Sequence, residues 1–201
     1  MSNAAASDKA LWNRAVSGDE QGFVAVYDRY AQRLLTYAYR RTGSVHRAED
    51  TVSLVMLEAW RRRREVRFGA DGTIAGWLFL TARYVLANEA RAARRHRHAL
   101  ARIAQLAPPV TDDLDRHLVD DERLRRALAA LTELSSRDQD VLELAVWSGL
   151  SESEMAEALG VPVGTFKSRL SRARRRLSER CDMPHKPLTL VRLAINSEEL
   201  Q

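Results

Sequence analysis

The stretch SESEMAEALGVPVGTFKSRLSRARRRL, residues 151–177, decides the fold of the C-terminal half. Ser151, followed three residues later by Glu154, has the reciprocal capping pattern that begins a helix. Gly160 is suited to end that helix, and Pro162 is suited to the first turn of the next one. Two helices joined by such a short turn predict a helix-turn-helix.

The second of these helices has two chemically different faces. Four apolar residues recur at helical spacings and predict a buried face, namely Phe166, Leu170, Ala173 and Leu177. The other face carries hydroxyl and guanidinium groups, which contact phosphates and guanine edges in a major groove. We expect DNA contacts from Thr165, Lys167, Ser168, Arg169, Ser171, Arg172 and Arg175. The alternative is a merely solvated basic face, but the accompanying capping box and turn favour DNA binding.

Composition agrees with a nucleic-acid-binding protein. The chain has 201 residues, of which 45% are hydrophobic and 29% charged, with a net charge of +5. This length fits one ordinary domain or two small ones. Basic residues concentrate at 61–64, 91–97 and 169–176, whereas acidic residues gather at 112–122. Such basic clusters indicate an anionic partner, although the preference for arginine is also typical of a GC-rich genome.

The reactive side chains do not indicate an enzyme. Cys181 is the single cysteine and has no adjacent base, so neither a disulfide nor a thiolate metal cluster can form within the chain. The five histidines lack a metal-ligand spacing, and there is no glycine-rich phosphate loop. We therefore expect no catalytic site, metal or cofactor. The chain also lacks a signal-like start and a membrane-spanning apolar run, so we expect a cytoplasmic protein without membrane insertion.

The pattern along the chain predicts an all-α protein. Apolar spacings of three and four predict helices at about 20–42, 45–64 and 73–98, which would form an N-terminal helical bundle. Pro108 and Pro109, followed by five aspartates, predict a flexible acidic linker. Further helices at about 121–132, 136–147, 152–159 and 163–179 would form a C-terminal four-helix domain that contains the helix-turn-helix.

The helix at 45–64 has a candidate partner surface. Its apolar spacing directs Ala48, Val52, Val55, Met56 and Ala59 inward and leaves two leucines beside acidic residues on the other faces. Leu54 and Leu57 would then be exposed and form part of a protein contact. The alternative is that a neighbouring helix buries both leucines. In the next helix, aromatic Trp77 and Phe79 precede a basic end, a pattern that suits unstacked bases, but core packing is favoured for both.

Four stretches, taken in order, resemble the extracytoplasmic-function (ECF) subfamily of bacterial RNA polymerase sigma factors. They are FVAVYDRY at 23–30, AED through AW at 48–60, WL with AR at 77–83, and VPVGTFKSRL leading to RAR at 161–174. Any one of them alone is weak evidence, but four in the same order are specific. The resemblance extends roughly from Phe23 to Leu177.

The resemblance implies a domain plan. Residues 1–19 would be an N-terminal extension, and 20–100 a domain like sigma region 2, which binds core polymerase and the −10 element. Residues 101–120 would be the acidic linker, which could imitate the charge of RNA or merely aid solubility. Residues 121–180 would be a domain like sigma region 4, which binds the −35 element, and 181–201 a tail that folds back or binds a regulator.

The resemblance also implies partners and site residues. The partners would be promoter DNA, the β′ coiled coil and β flap of core RNA polymerase, and an anti-sigma factor. Contacts with core polymerase fall on Asp50, Ser53, Leu54 and Leu57. Contacts with the −10 element fall on Phe68, Asp71, Asn88, Arg91, Arg94 and Arg95. Contacts with the −35 element fall on the basic helix described above.

The sequence departs from the usual family pattern at three positions. Ser53 stands where glutamine is frequent, Met56 where phenylalanine is common, and Tyr84 where asparagine usually follows Ala-Arg. These departures concern the polymerase and −10 contacts. The competing hypothesis is a stand-alone helix-turn-helix regulator of the response-regulator type. Such a protein would have alternating strands and helices in its N-terminal half, whereas residues 20–98 predict helices throughout.

Overall fold

The computed structural model describes residues 6–103, 130–131 and 133–181. Within those residues the chain forms seven α-helices and no strand, which confirms the all-α prediction. Their bounds are α1 Asp8–Val16, α2 Glu20–Thr42, α3 Val45–Arg61, α4 Ala75–Ile103, α5 Ser136–Trp147, α6 Glu152–Leu159 and α7 Val163–Cys181. Residues 104–120 of the predicted linker, residues 121–129 and 132 of the helix predicted at about 121–132, and the tail beyond Cys181 lie outside the described residues.

Helix boundaries follow the local sequence signals. Gly43 ends α2 with φ of 64°, a left-handed conformation that a residue without a side chain adopts at low cost. Ser44 then caps α3, and its side chain accepts a hydrogen bond from the Arg47 amide. Because these two residues are adjacent, only Gly43 and Ser44 separate α2 from α3, and the two helices pack against each other.

The helices α1 to α4 pack together into the N-terminal bundle. On α3 the five apolar residues predicted to face inward are all buried, namely Ala48, Val52, Val55, Met56 and Ala59. Phe79 of α4 is fully buried against Tyr37 of α2, with ring centroids 5.3 Å apart, so it is a core residue. Trp77 is half-buried and packs against the same core.

Helix α1 is an element that the periodicity analysis did not predict. Its Trp12 is buried and donates a hydrogen bond from Nε1 to the Arg63 carbonyl at 2.8 Å. The helix crosses α2 at Gly22, where an added Cβ would lie 2.5 Å from the Leu11 carbonyl oxygen. Glycine at position 22 is therefore what allows the two backbones to approach so closely. Residues 8–16 are thus an integral part of the bundle.

The two halves of the chain contact each other directly. Helix α6 packs on α4, and α5 lies against α2. Arg33 of α2 donates from Nη2 to the Gly149 carbonyl at 2.8 Å, and Arg83 of α4 donates from Nη1 to the Ala158 carbonyl at 2.8 Å. The halves, predicted from the sequence to be two domains joined by a flexible linker, therefore pack together, and we call this packing the closed arrangement.

Candidate nucleic-acid interface

The helix-turn-helix consists of α6 and α7. Ser151 accepts the Glu154 amide at 3.3 Å while its own amide donates to Glu154 Oε2 at 2.7 Å, which is the predicted capping box. Gly160 ends α6 with φ of 65°. The four residues predicted to form the inner face of α7 are all buried, namely Phe166, Leu170, Ala173 and Leu177. This packing fixes which face of α7 is presented to solvent.

The outer face of α7 carries the residues predicted to contact DNA. Five of them are exposed, namely Lys167, Ser168, Ser171, Arg172 and Arg175, and the other two, Thr165 and Arg169, are half-buried. Lys167 Nζ lies 2.9 Å from Glu152 Oε2, and Arg175 Nε lies 3.6 Å from Glu179 Oε1. Because exposed ion pairs contribute little to stability, these cations can exchange their carboxylate partners for phosphates at low cost.

An open groove of about 550 Å³ lies between the start of α5 and the outer face of α7. Its lining consists of Ser135, Ser136, Arg137, Asp138, Arg169, Arg172 and Arg176. Arg176 Nη1 contacts Asp138 Oδ2 at 2.6 Å, which ties the two helices together. The groove adds Arg137 and Arg176 to the basic surface. Arg176 belongs to the basic cluster 169–176 of the sequence, whereas Arg137 was not predicted, because α5 and α7 are distant along the chain.

The loop between α3 and α4, residues 67–74, has an ordered hydrogen-bond pattern. The Gly69 amide donates to the Thr73 carbonyl at 2.8 Å, and Gly72 has φ of 77°. Asp71 is exposed, and its Oδ1 accepts both the amide and the hydroxyl of Thr73, at 3.1 and 2.9 Å. Phe68 is half-buried against the core. Asp71 therefore shapes the loop as well as facing solvent.

The other residues predicted to contact the −10 element lie on α4. Asn88, Arg91 and Arg95 are exposed, and Arg91 Nη2 donates to Asn88 Oδ1 at 2.7 Å. Arg94 belongs to the same helix, but its side chain lies outside the described residues. Position 88 is 13 residues beyond the start of α4 at position 75, or roughly 20 Å along the helix axis at 1.5 Å per residue. The structure therefore brings Asn88 and Arg91 together but separates them from the loop.

Tyr84 extends the exposed stripe of α4. Its side chain is 61% exposed, and positions 84, 88, 91 and 95 recur at helical spacing on one face. An accessible aromatic ring in line with two arginines suits an unstacked base beside its phosphates. In the sequence, Tyr84 stood out only as a departure from the family pattern. The spacing from Asn88 is the signal that would have identified it.

The residues predicted to contact polymerase share the exposed side of α3. Asp50 and Ser53 are exposed, and Leu54 and Leu57 are 45% and 53% exposed. Trp60, one turn beyond Leu57, is also exposed and packs edge-on against Phe23 of α2 at 5.4 Å. Of the two alternatives for the leucines, exposure is confirmed. Together they form an apolar patch that Trp60 extends.

In the closed arrangement, α6 covers the 67–74 loop. Glu154 Oε1 accepts a hydrogen bond from Thr73 Oγ1 at 2.9 Å. The Glu157 side chain lies so close to two glycines that an added Cβ would come within 2.9 Å of its Oε2 at Gly69 and 2.4 Å at Gly76. The first helix of the helix-turn-helix thus occupies the space beside the loop.

An ion-pair cluster joins α2 and α4 to α5 nearby. Asp140 accepts from Arg41 Nη1 at 2.8 Å and from Arg83 Nη2 at 2.6 Å, and these arginines hold its pKa below the ordinary value despite partial burial. Glu143 Oε2 lies 2.7 Å from Arg41 Nη1, although the geometry does not align a hydrogen bond. Burial outweighs this attraction and raises the pKa of Glu143 to about 7.

No group of three or more histidine, cysteine, aspartate or glutamate side chains among the described residues is arranged to hold a metal ion. Likewise, no helix in the described ranges is long and apolar enough to cross a bilayer.

Two family models match the chain. The model described as "Sigma-70 region 2" matches residues 26–96, and the one described as "Sigma-70, region 4" matches residues 124–177. The chain is similar to the ECF RNA polymerase sigma factor SigL of Mycobacterium tuberculosis, with 34% identity over 88% of this chain and 92% of that protein. It is also similar to SigK of Mycolicibacterium vanbaalenii, with 29% identity over 80% and 82%.

Solved structures agree in fold. The structure of CnrH in complex with the cytosolic domain of CnrY aligns with a TM-score of 0.61 and 24% identity, over 87% of this chain and 97% of that chain. The sigma factor RpoE in complex with the anti-sigma factor NepR from Bartonella quintana aligns with a TM-score of 0.50 and 25% identity, over 83% and 98%. With its two sigma-70 regions and a 34% identical relative matched along nearly its whole length, this chain belongs to the ECF family of RNA polymerase sigma factors.

Proposed function

We propose how this sigma factor divides promoter recognition between its two halves. As a member of its family the chain binds core RNA polymerase and recognises promoter DNA, and sigma factors are transcription initiation factors rather than enzymes. The C-terminal half, residues 121–180, reads the −35 element as duplex, and the N-terminal half, residues 20–100, contacts the polymerase and the −10 element. The observation that carries this assignment is the two-faced α7, whose apolar side is buried and whose basic side is exposed.

The −35 contact centres on the outer face of α7. Arg172, Ser168 and Lys167 are placed to enter the major groove, since the recognition helix of a helix-turn-helix reads base edges with its exposed residues. The groove beside it supports a contact with the DNA backbone, because Arg137 and Arg176 adjoin the amino end of α5. Guanidinium groups and helix amino ends both favour phosphate.

The −10 contact involves the loop and the stripe on α4. Phe68 and Asp71 belong to the loop and lie near the flipped base, and Asn88, Arg91, Arg94 and Arg95 contact the adjacent strand. We add Tyr84 as a ring on which an unstacked base can stack. The span of roughly 20 Å between loop and stripe corresponds to several nucleotides of extended single strand.

The polymerase contact is the exposed side of α3. Leu54, Leu57 and Trp60 supply apolar area, while Asp50 and Ser53 supply polar groups at its edge. An exposed apolar patch with a polar rim is typical of a protein interface. This surface would bind the β′ coiled coil, and the C-terminal half would bind the β flap. Since polymerase and promoter lie in the bacterial cytoplasm, the protein acts there.

Promoter engagement requires the closed arrangement to open. Thr73 of the loop contacts Glu154 of α6, so α6 covers the side of the loop that the −10 strand would bind. The −10 strand and α6 therefore compete for the same space. The sigma factor RpoE was solved with its anti-sigma factor NepR, and an anti-sigma factor that favours the closed arrangement would keep this chain inactive. The predicted C-terminal tail, 181–201, is a candidate site for such a regulator.

In vitro transcription tests the proposed function directly. Purified protein is added to core polymerase on a library of genomic fragments, and the starts of the transcripts are sequenced. We expect new start sites that share a −35 and a −10 motif, and no transcripts without the protein. Capture of specific duplex DNA by the protein alone, without any new start site, would instead support the stand-alone regulator, which the match of residues 26–96 to sigma-70 region 2 disfavours.

A further inference from the structure

We propose that Asp8, in the first helix, is a positioning residue for the loop that reads the −10 element. This inference rests on the proposed role of residues 67–74. Asp8 is 3% exposed, and its carboxylate contacts Arg29, Tyr30 and Ile74 inside the bundle. It would therefore act through the loop and not by touching the promoter.

The Asp8 carboxylate is fully engaged by groups outside its own helix. Oδ1 accepts from Arg29 Nη1 at 2.5 Å, and Oδ2 accepts from the hydroxyl of Tyr30 and from the Ile74 amide, the latter at 2.9 Å. Burial and the hydrogen bond to Asp8 both raise the pKa of Tyr30, so this hydroxyl stays protonated and available as a donor. A buried carboxylate is costly unless it is paired in this way.

Ile74 is the point at which the loop becomes helix α4. Its carbonyl accepts the Leu78 amide at 3.1 Å and so begins the helix, while its amide is the group that Asp8 holds. The preceding residue, Thr73, closes the loop by accepting the Gly69 amide at 2.8 Å. Holding the Ile74 amide therefore fixes the carboxyl end of the loop. Because the Thr73 carbonyl belongs to the same peptide and accepts the Gly69 amide, the position of Gly69 is fixed as well.

The contact between Asp8 and the loop is also retained when the two halves of the chain separate. In the closed arrangement Thr73 is held by Glu154 of α6 as well. That second contact is lost when the halves separate on the promoter, whereas Asp8, Arg29, Tyr30 and Ile74 all belong to the N-terminal half. Asp8 thus keeps the loop in shape in the state that binds DNA. Helix α1 reaches this position only because Gly22 lets it approach α2 closely.

The test uses holoenzyme assembled from core polymerase and full-length variants. Transcription is measured on two promoter libraries, one randomised in the −10 element and one in the −35 element, and thermal unfolding is measured in parallel. We expect Asp8→Ala to weaken −10 base preference about tenfold, the equilibrium equivalent of one hydrogen bond to a charged acceptor, with −35 preference unchanged. Asp8→Asn, which keeps an oxygen acceptor but loses the charge, should show a smaller loss that is also confined to the −10 library.

Asp19→Ala is the matched control. Asp19 caps α2 and pairs with Arg14, so the variant removes a neighbouring carboxylate that has no contact with the loop. It should leave both preferences unchanged. If Asp8→Ala instead lowers output from both libraries by the same factor, Asp8 is only a stabilising residue and the inference is overturned. Should Asp8→Ala fail to fold, an unaltered −10 preference in Asp8→Asn overturns it equally.

Variants of the loop itself separate this inference from the proposed function. Phe68→Ala and Asp71→Ala are tested on the same libraries. If neither changes −10 preference, the loop does not read the element, and the proposed function fails at that point. If they change it and the Asp8 variants do not, the positioning role of Asp8 alone is refuted.

Discussion

Arg172 lies near the middle of the exposed face of α7, and its Nε is 3.2 Å from the Ser168 carbonyl. If this side chain reads a base edge, Arg172→Ala should cost about 1–3 kcal/mol of promoter binding and relax specificity at one −35 position. Transcription on randomised −35 libraries measures this effect. Arg174→Ala, which removes an exposed arginine from a different side of the same helix, is the control. Unchanged −35 preference in Arg172→Ala would contradict the assignment.

Tyr84 provides a second test at the scale of one side chain. Stacking of a base on an aromatic ring contributes about 1–3 kcal/mol, so Tyr84→Ala should reduce open-complex formation about tenfold or more. Tyr84→Phe keeps the ring and should retain most of the activity. Permanganate footprinting of melted thymines gives the readout. If the phenylalanine variant is as defective as the alanine variant, the hydroxyl and not the ring matters, and stacking is the wrong explanation.

Residue spacing predicted some site residues better than others. The inner and outer faces of α7 followed from spacings of three and four, because a single amphipathic helix fixes both. The contact between Asn88 and Arg91 could be predicted in the same way, since the residues are three apart on one helix. Arg137 joins the groove only through packing of α5 on α7, and no local pattern contains that information.

Among the elements, the helices that end at a capping glycine were predictable, and α1, which has a Ser7 cap but ends at Ser17, was not. The predicted starts and ends around Gly43 and Gly160 lie within a residue or two of the observed ones, because each boundary has its own capping signal. Helix α1 has nine residues, too few to be stable as an isolated helix. It is stable because Trp12 and Leu11 are buried in the bundle. Tertiary packing, not local propensity, forms this helix.

The exposed side of α3 yields a prediction at the scale of an element. Leu57→Asp should weaken binding to core polymerase at least tenfold, because it puts a charge into an apolar contact. It should leave the unfolding temperature nearly unchanged, since the side chain is 53% exposed in the free protein. Binding to immobilised core polymerase measures the first effect and calorimetry the second. Val45→Asp, at the 58% exposed start of α3, is the control, and an equal loss in both variants would refute a local patch.

The contact between the halves gives the whole molecule a pH dependence. In the closed arrangement burial raises the pKa of Glu143 from the ordinary 4.5 to about 7, and we expect exposure on separation of the halves to lower it again. The closed state therefore binds the proton more tightly between these values, so closure strengthens as pH falls through about 7 and weakens as pH rises. Glu157, whose pKa is also raised by burial, acts in the same direction. Asp140, with its lowered pKa, remains charged throughout this range.

Small-angle X-ray scattering of the free protein measures this opening. The radius of gyration should be larger at about pH 8 than at about pH 6. Glu143→Gln removes the main titrating group and should keep the protein compact at the higher pH. Asp140→Ala removes the carboxylate between Arg41 and Arg83 and should expand it at both. A pH response that is the same in Glu143→Gln as in the unaltered chain would rule out this origin.

The absence of a side chain at Gly76 determines how closely the two halves of the chain can pack. Alanine there would favour the helix by about 1 kcal/mol, yet its methyl carbon would meet Glu157 at 2.4 Å from Oε2 and 2.8 Å from Cβ. The added methyl would therefore stabilise α4 in the N-terminal half and weaken the packing of α6 against it. One carbon atom beside the 67–74 loop would thus set the balance between the compact molecule and the one that can accept a promoter.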